Sequence, residues 1–281
     1  MANPVARART LLFVPGNRPE RFKKAAQSGA DVVVLDLEDS VPISDKAVAR
    51  EAIEREWDGL RALGVAMVVR VNSPEIALGE EDLDWLVGLE LPDAVMLPKS
   101  ESVQVLGRVH QRLGDIALLP IVESAAGYSA LPGLGGAPGV VRLVIGHIDF
   151  MADVGFECDA VESELVPLRF AVSMATRLNR LAPAVDGVTT QIGDDEKLRE
   201  DVRRAVRFGF GGKLCIHPRQ VSVVHDAIRP TGQELEWARK VVAASEAAGG
   251  AAVQMDGRMV DLPVVLQAQR MLARAVPPDR T

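Results

Sequence analysis

The feature that most constrains this chain is a regular alternation. From Thr10 onward, eight short apolar runs ("TLLFVP", "DVVVLDLE", "AMVVRVN", "DAVMLP", "IALLPIVES", "VRLVIGHID", "APAVDGV" and "GKLCIHP") are separated by longer stretches of mixed character. Continuous β-branched and aliphatic runs suit strands buried on both faces. The intervals place apolar residues three and four apart, as in "SELVPLRFAVSMATRLN" and "DDEKLREDVRRAVRFGFGG", and Ser44 is expected to cap the helix in "SDKAVAREAIEREWDGLRAL". Eight such pairs predict an α/β protein, a TIM-type (β/α)8 barrel. The alternative, an open doubly wound sheet, wants a glycine fingerprint after the first strand, where this chain has "VPGNRPERF".

The barrel is expected over residues 1–228. A C-terminal helical extension, 229–281, follows the break "RPTGQ" with two further helix-like segments, and exceeds what a minimal barrel requires. Residues 124–141 lack charge, but five glycines and two prolines make them a loop by this reading and not a membrane span. A net charge of −7 argues against a nucleic-acid partner. Cys158 and Cys215 lack metal-ligand spacing and read as buried thiols. Together with an N-terminal apolar run that Pro15 ends too soon for a signal peptide, they suggest a cytoplasmic protein.

In a parallel barrel, chemistry comes from the carboxyl ends of the strands. Here nearly every run delivers a polar residue there: Asp36, Glu38 and Asp39, Arg70 and Asn72, Lys99, Glu123, His147 and Asp149, Asp186, and His217. Glu123 and Asp149 end consecutive runs, and two carboxylates with waters and a chelating substrate suit magnesium. Capping of the following loops is the plainer reading of both. Zinc fits less well, because no HExxH motif or cysteine cluster accompanies His147 and His217. Arg70 needs a carboxylate or a substrate oxyanion to offset its desolvation, and an internal bridge to Glu38 or Asp39 meets that need equally. Lys99 reads either as a rim charge or as a ligand contact.

The motifs "LLFVPGNRPERFKKA", "DVVVLDLEDSV", "VVRVN", "VMLPKSES", "PIVESAAG", "IGHIDFMADVG", "GFGGKLCIHPRQV" and "MVDLP" cover nearly the whole chain in order. On them the chain resembles the citrate lyase β-subunit-like family, within the HpcH/HpaI-type aldolases. The resemblance implies a magnesium-dependent TIM-barrel lyase that breaks or makes a carbon–carbon bond between a thioester's α-carbon and a 2-oxo acid. It implies Glu123 and Asp149 as Mg2+ ligands and Arg70 as the contact to substrate oxygens. Glu38 and Asp39 become an acidic pair acting near the metal through water and Arg70. Asp261 would move a proton in a neighbouring subunit's site, and Arg18 and Lys24 lie where related lyases hold the acyl-CoA nucleotide. One departure is His147-Ile148 before Asp149, where many members have an acid next to the metal-binding aspartate.

The expected substrate is a 3-hydroxy-3-carboxyacyl-CoA such as malyl- or citramalyl-CoA, cleaved to acetyl-CoA and a 2-oxo acid by a homo-oligomer, trimer or hexamer. The alternatives are a citrate lyase β subunit working on an acyl-carrier-protein thioester, an aldolase on a free hydroxy acid, a malyl-CoA thioesterase, or a non-catalytic metal-binding scaffold. The intact tail with Asp261 favours a free-standing enzyme on CoA esters.

Overall fold

The computed structural model describes residues 3–255 and 257–275. All eight apolar runs become strands: β1 (Thr10–Pro15), β2 (Val32–Asp36), β3 (Ala66–Arg70), β4 (Ala94–Leu97), β5 (Ala117–Val122), β6 (Val144–Ile145), β7 (Val185–Asp186) and β8 (Gly212–Cys215). They are parallel and close in sequence order, β8 pairing with β1, into a barrel. The helices are α1 (Pro4–Arg7), α2 (Phe22–Ala26), α3 (Lys46–Arg61), α4 (Ala77–Val87), α5 (Val103–Leu113) and α6 (Ala125–Gly135). After them come α7 (His147–Val154), α8 (Val166–Leu178), α9 (Asp195–Arg207), α10 (Arg219–Ile228), α11 (Gly232–Ala247) and α12 (Leu262–Ala275). No helix among the described residues is long and apolar enough to cross a membrane.

The strand period of two sorts the side chains. Leu11, Val32, Val34, Val68, Met96, Leu119, Ile121, Val185 and Leu214 meet in one interior cluster, which Val5 and Ala8 join from the segment before β1. Continuing the same parity toward the carboxyl ends puts Phe13, Asp36, Arg70 and Glu123 on the inner face at the mouth. Residues of opposite parity, including Asp186 and Lys213, face the surrounding helices.

Three local expectations are corrected. The uncharged segment 124–141 is not a loop, because Ser124 caps α6 by accepting the Gly127 N–H, and eleven helical residues follow. Ser44 does not cap α3; it lies in a 3-10 turn (Ile43–Asp45), and its hydroxyl donates to Asp45 at 2.9 Å. Cys158 is only partly buried, unlike Cys215, and both are free thiols.

The chain divides into two compact units, with the boundary between His225 and Asp226 inside α10. In the second unit, α11 starts with a reciprocal capping box between Thr231 and Glu234. A hairpin follows, β9 (Val253–Met255) antiparallel to β10 (Arg258–Val260), between the two helix-like segments expected from the sequence. Ala238, Val241, Val260, Val265 and Ala268 form this unit's own core.

Candidate active site

The inner-face parity gathers a charged rim. Arg70 and Asp36 are register partners on β3 and β2. The guanidinium donates from Nε to Asp36 Oδ1 at 2.6 Å and from Nη2 to Oδ2 at 2.7 Å, a two-pronged pair. Its Nη1 lies 2.8 Å from Glu38 Oε2, and its carbon sits 4.7 Å from the Phe13 ring centroid; these bonds use three of the five guanidinium N–H donors, one on each nitrogen. Asp36 is fully buried and also accepts from the Ser40 hydroxyl and, at 2.9 Å, from the Glu38 N–H. Burial would raise the Asp36 carboxyl, but the Arg70 charge and these hydrogen bonds hold it below the usual range. For Arg70, the same carboxylates outweigh desolvation and raise its pKa, so the cation is permanent.

Glu38 bridges two cations, because its Oε1 accepts from Lys99 Nζ at 2.8 Å. Lys99 holds a left-handed backbone (φ 46°) that turns its N–H onto Glu123 Oε1 at 2.6 Å. Non-glycine residues adopt this conformation at a cost and cluster at sites the surrounding structure constrains. Lys99 therefore both orients Glu123 through its backbone and neutralises Glu38 through its side chain.

Glu123 is 5% exposed. Burial first, then the charges of Asp149 and Glu38, outweigh the Lys99 N–H bond and the Arg70 charge, and push its carboxyl up to about 8. Loss of hydration is the first cause of that rise, and a hard cation held against the carboxylate would offset it. Gly146 lets the acid sit there: a Cβ at that position would lie 2.3 Å from Glu123 Oε2. Asp149 follows in the first turn of α7, partly exposed, where the helix N-terminus favours a negative group. Two oxygen donors with room for water and substrate fit magnesium. No cluster of three or more His, Cys, Asp or Glu suited to a metal occurs among the described residues.

The other sequence-predicted residues have surroundings of their own. Asp39 is 60% exposed and does not reach Arg70; its ion pair is to Lys99 at 3.9 Å. Asp186 faces outward, where it pairs with Arg169 at 3.3 Å and Lys213 at 3.2 Å. Those two cations outweigh burial and set its carboxyl at about 2. His147 starts α7 instead of ending a strand, and is buried against Gly187. Burial and then the Lys213 charge lower its pKa to about 4, so it is neutral near pH 7. Asn72 is buried in hydrogen bonds to Lys46, Asp82 and the Leu37 carbonyl, and His217 is exposed with Nδ1 accepting the Arg219 N–H. Arg18 and Lys24 are exposed on the segment after β1, Arg18 paired with Glu20 at 2.6 Å. Asp261, in the second unit, accepts the Val265 N–H on its carbonyl at 3.0 Å and so opens α12.

Asp36 received no role in the sequence reading, which credited Arg70 to Glu38 or Asp39. The signal was in the parity: Val32, Val34 and Asp36 share one face of β2, as Val68 and Arg70 share one face of β3.

The chain matches the HpcH/HpaI aldolase/citrate lyase family over residues 9–218 and the TIM-barrel carbon–carbon bond lyases over 171–276. A citrate lyase subunit beta-like protein of Mycobacterium tuberculosis is 38% identical over 94% of each chain. The L-malyl-CoA/beta-methylmalyl-CoA lyase of Cereibacter sphaeroides is 31% identical over 98% of this chain and 96% of its own. The mitochondrial citramalyl-CoA lyase of Rattus norvegicus is 30% identical over 95% of this chain and 86% of its own. Among solved structures, the CitE protein of M. tuberculosis, in complex with magnesium, acetoacetate and coenzyme A, superposes with a TM-score of 0.84 at 36% identity, covering 96% of this chain and 99% of that one. On this extent of match, joined to the closed barrel and its acidic mouth, the chain belongs to the HpcH/HpaI aldolase/citrate lyase family and is an enzyme of the TIM-barrel carbon–carbon bond lyases.

Proposed function

We propose that the protein is a magnesium-dependent lyase that cleaves, or in reverse forms, a 3-hydroxy-3-carboxyacyl-CoA of the malyl- or citramalyl-CoA type, giving acetyl-CoA and a 2-oxo acid. The observation that carries this reading is the pairing on one rim of a desolvated Glu123 beside Asp149 with an Arg70 cation locked by Asp36 and Glu38. The named malyl- and citramalyl-CoA lyases among the relatives support the substrate class, and the magnesium in the similar solved structure supports the cofactor.

Glu123 and Asp149 would hold the ion, which when bound supplies Lewis acidity to the substrate's hydroxyl and adjacent carboxylate. In the cleavage direction the hydroxyl proton passes to solvent water, the carbon–carbon bond breaks, and the hydroxyl carbon becomes the carbonyl of the 2-oxo acid. The electron pair passes to the thioester as an enolate, and Arg70 faces the developing oxyanion. A preorganised donor of this kind commonly contributes about 3 to 4 kcal/mol of barrier lowering. Asp36 and Glu38 hold that donor in place without spending reorganisation during the reaction. Glu38 also ties Lys99, and through it Glu123, to the same rim, while Asp39 lends negative charge near the metal. Asp261 of a neighbouring copy delivers a proton to the enolate carbon, which completes acetyl-CoA. Arg18 and Lys24, two exposed cations, suit the phosphates of the CoA nucleotide. The working particle on this reading is a homo-oligomer, trimer or hexamer. Two free thiols among the described residues suit a cytoplasmic location.

The test is a panel of malyl-, methylmalyl- and citramalyl-CoA with magnesium, read by mass spectrometry for acetyl-CoA, propionyl-CoA, free CoA and 2-oxo acids. Acyl-CoA with an equimolar 2-oxo acid is expected, whereas free CoA with an intact hydroxy acid identifies a hydrolase and overturns the lyase. Mixing inactive Arg70→Ala with inactive Asp261→Ala tests the shared site, since mixed oligomers carry some sites with both native residues. No recovery after verified subunit exchange rules out Asp261 acting in trans.

A further inference from the structure

Strand β6 is too short to place the carboxylate that follows it. Its ladder to β5 pairs Ile121 with Val144 and Val122 with Ile145, and the Gly146 N–H donating to the Val122 carbonyl at 3.1 Å ends it. Glu123 directly follows that ladder, whereas Asp149 lies a full helical turn beyond it, in the segment 146–165 that contains α7 and separates β6 from α8. Sheet pairing therefore fixes Glu123 but leaves the position of Asp149 to whatever holds α7.

Three contacts hold it. His147 is buried against Gly187, just past the end of β7. Phe150 meets Tyr128 of α6 with ring centroids 6.2 Å apart. The third contact is polar: Asp153 Oδ2 accepts the Ala125 N–H at 2.8 Å. Ala125 is the first residue of α6 and follows Glu123 by two positions, and its N–H is one of those that a helix start leaves without a partner in its own helix. Asp149 and Asp153 are four apart, on one face of α7. One hydrogen bond thus joins the turn after Asp149 to the chain just after Glu123. The helix α6 has a cap of its own in Ser124, and both Asp153 and Ala125 are exposed, so the consequence of this bond is positional more than stabilising.

The geometry points to Asp153 as a positioning residue: by holding Ala125 it sets the spacing between Glu123 and Asp149, and with it the affinity of the site for a divalent cation. The inference rests on the reading of those two carboxylates as the magnesium ligands. Magnesium demands near-octahedral oxygen geometry at short distances, so a shift of one ligand against the other weakens its binding sharply, and residues that orient ligands commonly contribute about ten- to a hundredfold in affinity.

The test is magnesium affinity by calorimetry on full-length variants, with circular dichroism to verify the fold. Asp153→Ala should lose at least about tenfold in affinity, while Asp153→Asn, whose amide oxygen still accepts the N–H, should stay within about threefold of the wild type. Ala125→Pro removes the donor instead. Proline suits the first position of a helix, and Ser124 before it is already extended (φ −146°, ψ 163°), so α6 is expected to form. This variant should lose as much as Asp153→Ala, and the double variant no more than either, because both changes break the same bond; where Ala125→Pro does not fold, the two Asp153 variants decide alone. Native affinity in Asp153→Ala, an equal loss in Asp153→Asn, or losses that multiply in the double variant overturn the inference. So does an equal loss in Asp194→Ala, which removes the side-chain cap of α9, since any loosened helix would then weaken the site. A wild type that binds no magnesium overturns the metal assignment and the inference with it, an outcome distinct from a wild type and an Asp153→Ala variant that bind equally well.

Discussion

Replacing Asp36 by Asn keeps the shape of the side chain but removes the charge that holds Arg70. In the native rim, Arg70 gives two of its nitrogens to Asp36 at 2.6 and 2.7 Å and a third to Glu38 at 2.8 Å, with its side chain only 13% exposed. Removing one partner of a buried ion pair costs about 3 to 5 kcal/mol, because the other charge stays buried without compensation. Glu38 still neutralises one edge of the guanidinium, which puts the expected loss near the lower end, about 3 kcal/mol. For a domain of about 150 to 250 residues, each kcal/mol moves the melting temperature by about 2 to 4 °C, so Asp36→Asn should melt about 6 to 12 °C below the wild type at pH 7. The pH dependence has a definite sign. Asp36 is held below its ordinary value of 3.8, so its contribution is complete above that value and is lost as the pH falls through the lower folded value. The gap between wild type and variant must therefore narrow in acid. Thermal melts followed by circular dichroism at pH 7 and at stepped pH values below 4 make the measurement. A difference under about 2 °C at pH 7, or a gap that widens on acidification, would refute the claim that Asp36 anchors the arginine.

Glu123→Ala and Asp149→Ala should each abolish magnesium-dependent turnover with the far-ultraviolet spectrum unchanged, since neither belongs to the interior apolar cluster; retained activity in a chelator would show that neither holds the ion. Arg70→Lys keeps a positive charge but loses the planar fork, so kcat should fall by about a hundredfold or more while magnesium affinity by calorimetry stays within a few-fold. Gly146→Ala places a Cβ 2.3 Å from Glu123 Oε2, so magnesium affinity should drop at least tenfold in a folded protein, and native affinity would mean that Glu123 is not a ligand.

The sequence by itself determined the barrel and most of its mouth. Eight apolar runs of strand length leave few ways to bury both faces of each strand, and a closed parallel sheet wrapped in helices is one that hides every edge. Polar residues at the strand ends then converge because the strands are parallel, which is why Arg70, Glu123 and Glu38 were legible as one rim. Parity, although written in the sequence, separates the rim only once strand limits are known. Asp36 turned inward to Arg70, while Asp186 turned outward to Arg169 and Lys213, yet each follows an aliphatic residue, Leu35 or Val185, at the end of an apolar run. The uncharged segment after Glu123 misled for a related reason. Its glycines and proline weaken a helix on local propensity, and only the capping bond from Ser124 with the packing of Leu131 and Leu134 against the barrel makes α6 hold. The hairpin in the second unit has its sequence signal in "DG" between "VQM" and "RMV", and Gly257 takes φ 76°. What no linear reading supplied was the environment of single groups. The rise of Glu123 to about 8 and the fall of His147 to about 4 come from desolvation and from charges far away in sequence, and such fields exist only after the chain has closed on itself.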